Sequence, residues 1–383
     1  MKIAEDTHYA GVNDTKIDLF EGQYRVPYGM TYNSYVITDE KIAVFDTADR
    51  FFVDEWLTNV KKVLDGRKPD YLIINHMEPD HSSGIDAFLK EYPDTVIAAS
   101  AAAFSMMGQF FRSRTFENRI TVTDKTEISL GKHNLKFLSA PMVHWPEVVM
   151  TYDEYTKTLF SADAFGAFGI PKSGYDYKSE ARRYYCGIVG KYGMQVSLLL
   201  KKASAFDIER ICPLHGKVLE EEIKEYVSLY QKWSSYEPES DGVLIAYTSV
   251  YGNTKKAAFL LEKELKKAGA ETKVFDLARC DMSEAVANAF RYRDIVLATT
   301  TYNTDIFPPM RVFIEEITER GLKDRKIAII ENGTWAPSAA RKIKAMLENS
   351  KNFTFTDTIT IKSSLSCENE ESISKLANEL ANA

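Results

Sequence analysis

The chain has 383 residues, too long for one hydrophobic core and enough for two or three units at ~150 residues each. Hydrophobic residues make up 45% and charged residues 27%, and Lys+Arg 48 against Asp+Glu 55 leaves a net charge of −7, which gives nucleic acid no electrostatic hold. No apolar run approaches the ~18 residues that span a bilayer, and the acidic start MKIAEDTHYAG is unlike an export signal, so a cytoplasmic protein without membrane or nucleic-acid partners is expected.

In chain order, short β-rich segments come first: SYVITDEKIAVFDT (34–47), YLIINH (71–76), TVIAAS (95–100), HNLKFLSAP (133–141) and KTLFSAD (157–163). Helical stretches VDEWLTNVKKVLDG (53–66) and EEEIKEYVSLYQKW (220–233) separate or follow them. Pairs joined by tight polar turns, such as ITDEKIAVF, suggest antiparallel hairpins mixed with helices, an α+β sandwich with helices outside. The four cysteines, Cys186, Cys212, Cys280 and Cys367, are too scattered for a zinc ribbon or an iron–sulfur motif and are expected as small buried hydrophobes in a reducing compartment.

The densest chemistry lies in INHMEPDHSS, 74–83, where an apolar strand runs into His76, Glu78, Asp80 and His81. In an extended segment alternate side chains share a face, so His76, Glu78 and Asp80 can converge while Met77 points away. A helix is expected to begin near Ser82 or Ser83, good capping residues. Of the other histidines, His144 (LSAPMVHWPE) and His215 (ICPLHG) also follow apolar strands, as does Asp163 in TLFSAD. His8 and His133 lack that context and are expected at the surface or as caps. Seven donors exceed one tetrahedral ion and suit a two-metal site with one bridging carboxylate. Four imidazoles, three carboxylates and no thiolate favour iron or manganese, with zinc still open.

This motif order resembles the metallo-β-lactamase-like domain of flavodiiron proteins. The hydrolases of that fold usually carry His where this chain has Glu78, and an anionic oxygen there better stabilises ferric iron. The resemblance implies a metallo-β-lactamase-like αββα sandwich in which one iron takes His76, Glu78 and His144. The other takes Asp80, His81 and His215, and Asp163 bridges the two.

The polar stretch SSYEPESDG, 234–242, reads as a linker, dividing the chain into 1–240 and 241–383. Beyond it, apolar strands at 243–249, 273–277, 294–300, 326–330 and 355–361 alternate with amphipathic segments such as TKKAAFLLEKELKKAG. That alternation implies a doubly wound parallel five-stranded sheet. The loop Ser249, Val250, Tyr251, Gly252, Asn253, Thr254 offers hydroxyls and N–H groups at a helix start, an anion site unlike either the Walker or the dinucleotide fingerprint. Two later loops at strand ends, Thr300, Thr301, Tyr302, Asn303 and Asn332, Gly333, Thr334, Trp335, can stack a flat heterocycle; core packing is the other reading for Tyr302 and Trp335. Ser-x-x-Gly-Asn-Thr with these loops resembles flavodoxin and implies FMN, with its phosphate on 249–254 and its ring between the other two loops.

Together the two halves imply a flavodiiron oxidoreductase with FMN and two non-haem iron ions, reducing O2 to water, NO to N2O, or both. The family pattern further implies a head-to-tail homodimer, or a tetramer built from it, that sets one copy's FMN beside the other's iron. With no rubredoxin segment in the chain, electrons are expected from a separate rubredoxin and its NAD(P)H reductase. Tyr192, beside Gly193, is a candidate to hydrogen-bond bound substrate, with packing as its other role. The competing readings are a dizinc hydrolase with an accessory flavin domain and an electron carrier whose first half only docks.

Overall fold

The computed structural model describes residues 1–172 and 174–382 and divides into two units, Met1–Gln231 and Lys232–Ala383. In the first unit, Tyr35–Thr38 and Ile42–Phe45 pair antiparallel across the polar turn at 39–41. The sheet then continues parallel through Tyr71–Ile73, Val96–Ala99 and Arg119–Thr121. Parallel pairing is possible because Val53–Leu64, Ile85–Glu91 and Ala101–Phe110 supply the crossovers. A second sheet runs Glu127–Ser129, Asn134–Ser139, Val149–Asp153, Thr158–Phe160 as an antiparallel meander, and Arg210–Cys212 lies parallel to its last strand.

The sheets pack face to face. Ile37, Phe45, Ile73 and Ala98 of one meet Leu135, Phe137, Val149 and Phe160 of the other in one buried cluster. Phe45 stacks on Phe160 with ring centroids 4.0 Å apart, each burial worth roughly 1.5–3 kcal/mol. The helices turn apolar stripes inward, Trp56, Val60 and Leu64 on one and Ile85, Phe88 and Leu89 on another. This is the αββα sandwich expected.

In the second unit the strand order is Thr272–Asp276, Ser240–Tyr247, Tyr292–Tyr302, Lys326–Asn332, then Thr354–Phe355 and Ile359–Ile361, all parallel. Only the short Asp305–Ile306 turns back antiparallel. Side chains alternate between two helix-covered faces, so these strands read as unbroken apolar runs. Val243, Ile245 and Tyr247 pack with Ala257, Leu261 and Leu265 of helix Asn253–Lys267 and Ile373 and Leu376 of helix Cys367–Ala381.

Four expectations change. The segment 234–242 is mostly regular: helix Ile223–Ser235 ends inside it and strand Ser240–Tyr247 begins inside it. The final strand is split, because polar Thr356, Asp357 and Thr358 interrupt its apolar pattern. His133 is fully buried, not superficial, because Asp153 meets its Nδ1 at 2.8 Å in the core. The four cysteines form no disulfide among the described residues, but only Cys186 and Cys212 are buried; Cys280 is half-buried and Cys367 is exposed at the start of a helix. No helix among the described residues is long and apolar enough to cross a membrane.

Candidate metal centre and flavin cleft

Three donor positions lie three residues beyond a strand end: His76 after Tyr71–Ile73, Asp163 after Thr158–Phe160, and His215 after Arg210–Cys212. Phe160 and Cys212 are register partners in parallel strands, so Asp163 and His215 leave the second sheet side by side. His144 comes from the turn between Asn134–Ser139 and Val149–Asp153. The other sheet's loop is pinned from below: Asp46 Oδ1 accepts the N–H groups of Asn75 at 2.8 Å and His76 at 3.1 Å. The Thr151 hydroxyl donates to Asn75 Oδ1 at 2.8 Å, tying the two sheets at this rim, and Thr47 donates through both N–H and hydroxyl to the His81 carbonyl.

The helix after His76 begins at Pro79, earlier than Ser82 or Ser83, with Glu78 as N-cap. Proline suits that first position because its missing N–H would be unpaired there anyway. Extended alternation therefore stops at Glu78, and Asp80 turns away from His76 toward His81.

The seven donors fall into two groups, His76, Glu78, His144 and Asp163, and Asp80, His81 and His215. In the first, Glu78 Oε2 is 3.2 Å from His76 Nε2 and 3.0 Å from His144 Nε2. In the second, Asp80 Oδ2 is 3.3 Å from His81 Nε2 and 3.2 Å from His215 Nε2. Asp163 faces both: Oδ2 is 3.1 Å from His144 Nε2, and Oδ1 is 3.3 Å from His81 Nε2.

Whether two cations fit can be judged from the donors' own hydrogen bonds. His76 Nδ1 donates to Glu147 at 2.8 Å and His215 Nδ1 to the Thr31 carbonyl at 2.6 Å, so each presents a bare Nε2 lone pair to the centre. His81 Nε2 and His215 Nε2 are only 3.0 Å apart, and both Asp80 oxygens and Asp163 Oδ1 are buried without a hydrogen-bond partner among the described residues. Lone pairs and bare carboxylate oxygens crowded into a dry space are costly unless cations sit among them. Burial pushes the Asp163 carboxyl up, but His76, His144 and His81 outweigh it and hold it well below the usual range. Burial likewise pulls the His144 imidazole down, while Asp163 and Glu78 raise it to about 9. The donor set fits a pair of metal ions.

Tyr184 was not legible from the sequence. It ends helix Tyr177–Tyr184 where the chain passes into a π-turn, Tyr185–Val189, a local widening found often at functional sites. Its ring lies 5.6 Å from that of His215, and its hydroxyl is buried with no hydrogen-bond partner among the described residues. Burial, then the carboxylates of Asp163, Glu78 and Asp80, push its ionisation well above the usual range. Gly166 makes room: a Cβ there would sit 3.2 Å from the Tyr184 ring. Tyr192 closes the short turn Gly190–Tyr192, half-buried, with no hydrogen bond or ring contact to the donor residues. Phe20 and Tyr32 wall His215 at 5.2 and 5.9 Å.

In the second unit a cleft of about 580 Å³ is lined by 249–251, 253, 254, 300–303 and 332–335, joined by Thr304, Ala336 and Ser363. Gly252, between the lining residues Tyr251 and Asn253, is the N-cap of helix Asn253–Lys267 at φ 91°, a left-handed turn that suits glycine. The Gly252 N–H donates to Ser249 Oγ at 3.1 Å, leaving that hydroxyl's proton free. Two expected contact residues serve the loops instead: Thr301 Oγ accepts N–H groups from Ser338 and Ala339, and Asn332 Nδ2 donates to the Ser363 carbonyl. Tyr251 and Trp335 are 94% and 90% exposed, so core packing is not what Trp335 does.

Comparison with known proteins joins these halves. Residues 30–216 match the ODP family beta lactamase description and 245–374 match flavodoxin. An uncharacterized protein of Methanocaldococcus jannaschii is 30% identical over 91% of this chain and 89% of its own length. The anaerobic nitric oxide reductase flavorubredoxin of Vibrio vulnificus is 29% identical over 90% of this chain and 72% of its own. A mutant flavo di-iron protein of Thermotoga maritima superposes with TM-score 0.90 at 25% identity, covering 99% of this chain and 98% of that one. The chain belongs to the flavodiiron proteins. The rubredoxin oxygen:oxidoreductase of Desulfovibrio gigas shares the fold of this flavodiiron protein along its whole length, TM-score 0.92 at 24% identity and 98% of that chain.

Proposed function

We propose that this flavodiiron protein reduces O2 to water, NO to N2O, or both, at two iron ions held by His76, Glu78, Asp80, His81, His144, Asp163 and His215. The observation that carries the reading is Asp163, whose two oxygens face one donor group each, in a chain that also has a flavin-sized cleft. When bound, the iron pair supplies electrons to a diatomic ligand and FMN replenishes them.

The protein's own residues set the conditions. Glu78, Asp80 and Asp163 bring negative charge that favours the higher oxidation state, and the hydrogen bonds behind His76 and His215 fix their rings. Phe20, Tyr24, Phe168 and Tyr184 form an aromatic wall that excludes water near His215. The Tyr184 hydroxyl is free to donate a hydrogen bond to the substrate. At the other cofactor, Ser249 and the N–H groups opening helix Asn253–Lys267 suit the FMN phosphate, and Tyr302 and Trp335 suit its ring.

The exposed apolar rim of the cleft, Val250, Tyr251, Tyr302 and Trp335, supports pairing with a second copy, head to tail, or a tetramer of such pairs. A rubredoxin served by an NAD(P)H reductase is the proposed donor, in keeping with the relatives' names. The test is anaerobic stopped-flow oxidation of the fully reduced protein by O2 and, separately, by NO, alongside metal analysis. Two zinc ions in active, colourless protein would overturn the proposal.

A further inference from the structure

Among the donor imidazoles, His76 differs in what stands behind it. Glu147 Oε1 lies 2.8 Å from His76 Nδ1 and also accepts the Met77 N–H at 2.9 Å. Two N–H groups on one oxygen favour the carboxylate form of the acid, because both bonds strengthen when that oxygen carries charge. The side chain is fully buried, and among the described residues its other oxygen has no hydrogen-bond partner and its one ion-pair partner is His76. The backbone on either side is held as well: the Ser100 hydroxyl donates to the Glu147 carbonyl at 2.7 Å, and the Trp145 ring stands edge-on to His76 at 5.4 Å. In the second group no carboxylate among the described residues is hydrogen-bonded to the far nitrogen of an imidazole. His215 Nδ1 faces the neutral Thr31 carbonyl, and His81 Nδ1 has no partner among the described residues.

We infer that Glu147 is a positioning residue that makes the His76–Glu78–His144 position the one whose metal is oxidised first. The inference rests on the reading that the seven donors hold two irons. A carboxylate drawing on the Nδ1 proton pushes electron density to Nε2 and makes the imidazole a stronger donor. Each position owns one carboxylate, Glu78 or Asp80, and shares Asp163; Glu147 adds a carboxylate in direct contact with the far nitrogen of a donor imidazole at the first position. Removal of one electron from the all-ferrous pair by an added one-electron oxidant then leaves the ferric ion beside His76. No bond breaks, and the Nδ1 proton stays between His76 and Glu147.

The test is a redox titration of the iron-loaded protein followed by EPR and Mössbauer spectroscopy, comparing wild type with Glu147→Gln and Glu147→Asp. Gln keeps the length and an oxygen for the Nδ1 proton but removes the charge. With two irons retained, it is expected to weaken the ferric preference about tenfold, a rise of about 59 mV in the first one-electron potential. An unchanged potential in Gln protein holding two irons overturns the inference. Should the Gln variant lose iron, retention by the Asp variant supports a requirement for charge, and equal loss by the Asp variant overturns it. Wild-type protein that binds fewer than two irons defeats the underlying site reading instead.

Discussion

Replacing Tyr184 by Phe removes one oxygen and leaves the ring contacts with Phe168 and His215 in place. That oxygen is buried without a hydrogen-bond partner among the described residues, an arrangement that costs ~1–3 kcal/mol. Deleting it should therefore leave the metal-free fold as stable or more stable, by about 1 kcal/mol. Turnover should move the other way. A hydrogen bond from this hydroxyl to a substrate gathering negative charge is worth ~1.5–3 kcal/mol, and at ~1.4 kcal/mol per factor of ten its loss slows the reaction about tenfold to a hundredfold. Denaturant unfolding of metal-free protein reads the first effect, and stopped-flow oxidation of iron-loaded protein reads the second. A Tyr184→Phe variant that is destabilised yet oxidises at the wild-type rate would refute the reasoning, since the hydroxyl would then serve the fold.

Three further outcomes follow. Asp163→Asn keeps the shape but removes the charge shared by both donor groups, so iron content should fall below two per chain while FMN stays bound, as metal and flavin analysis would read. Gly252→Ala meets no atom within 4 Å, so its cost is the left-handed backbone alone, roughly 1–2 kcal/mol, and FMN should bind up to about tenfold more weakly in a fluorescence titration. Burial and then Glu284 and Asp281 push the Cys280 thiol up to about 11, and the thiolate is the reactive form. Alkylation followed by mass spectrometry should therefore label exposed Cys367 first, with Cys280 gaining only as pH climbs toward 11.

The sandwich and the doubly wound sheet were legible because alternation and helical spacing each report which face is buried. The donor residues were legible because strands deliver them: His76, Asp163 and His215 each stand just past an apolar run. What escaped depends on neighbours distant in the chain. The buried partner of His133 is Asp153, and no local pattern announces that a polar residue beside a turn will be covered. Tyr184 reaches the centre through a π-turn, which breaks the very periodicity used to find helix faces. Its one hint is a pair of tyrosines ending an otherwise charged helix. Glu147 carried a weaker one, standing three residues after His144.

His76, Glu78, Asp80 and His81 hang from one sheet, while His144, Asp163 and His215 hang from its partner. A cation pair seated among them rivets the two halves of the sandwich together. A ligand present at a hundred times its dissociation constant, and bound by the native form alone, adds about 2.7 kcal/mol to stability. Iron supply would thus govern how long the protein survives as well as how fast it works, and chains made during iron scarcity would be the first to open to proteases.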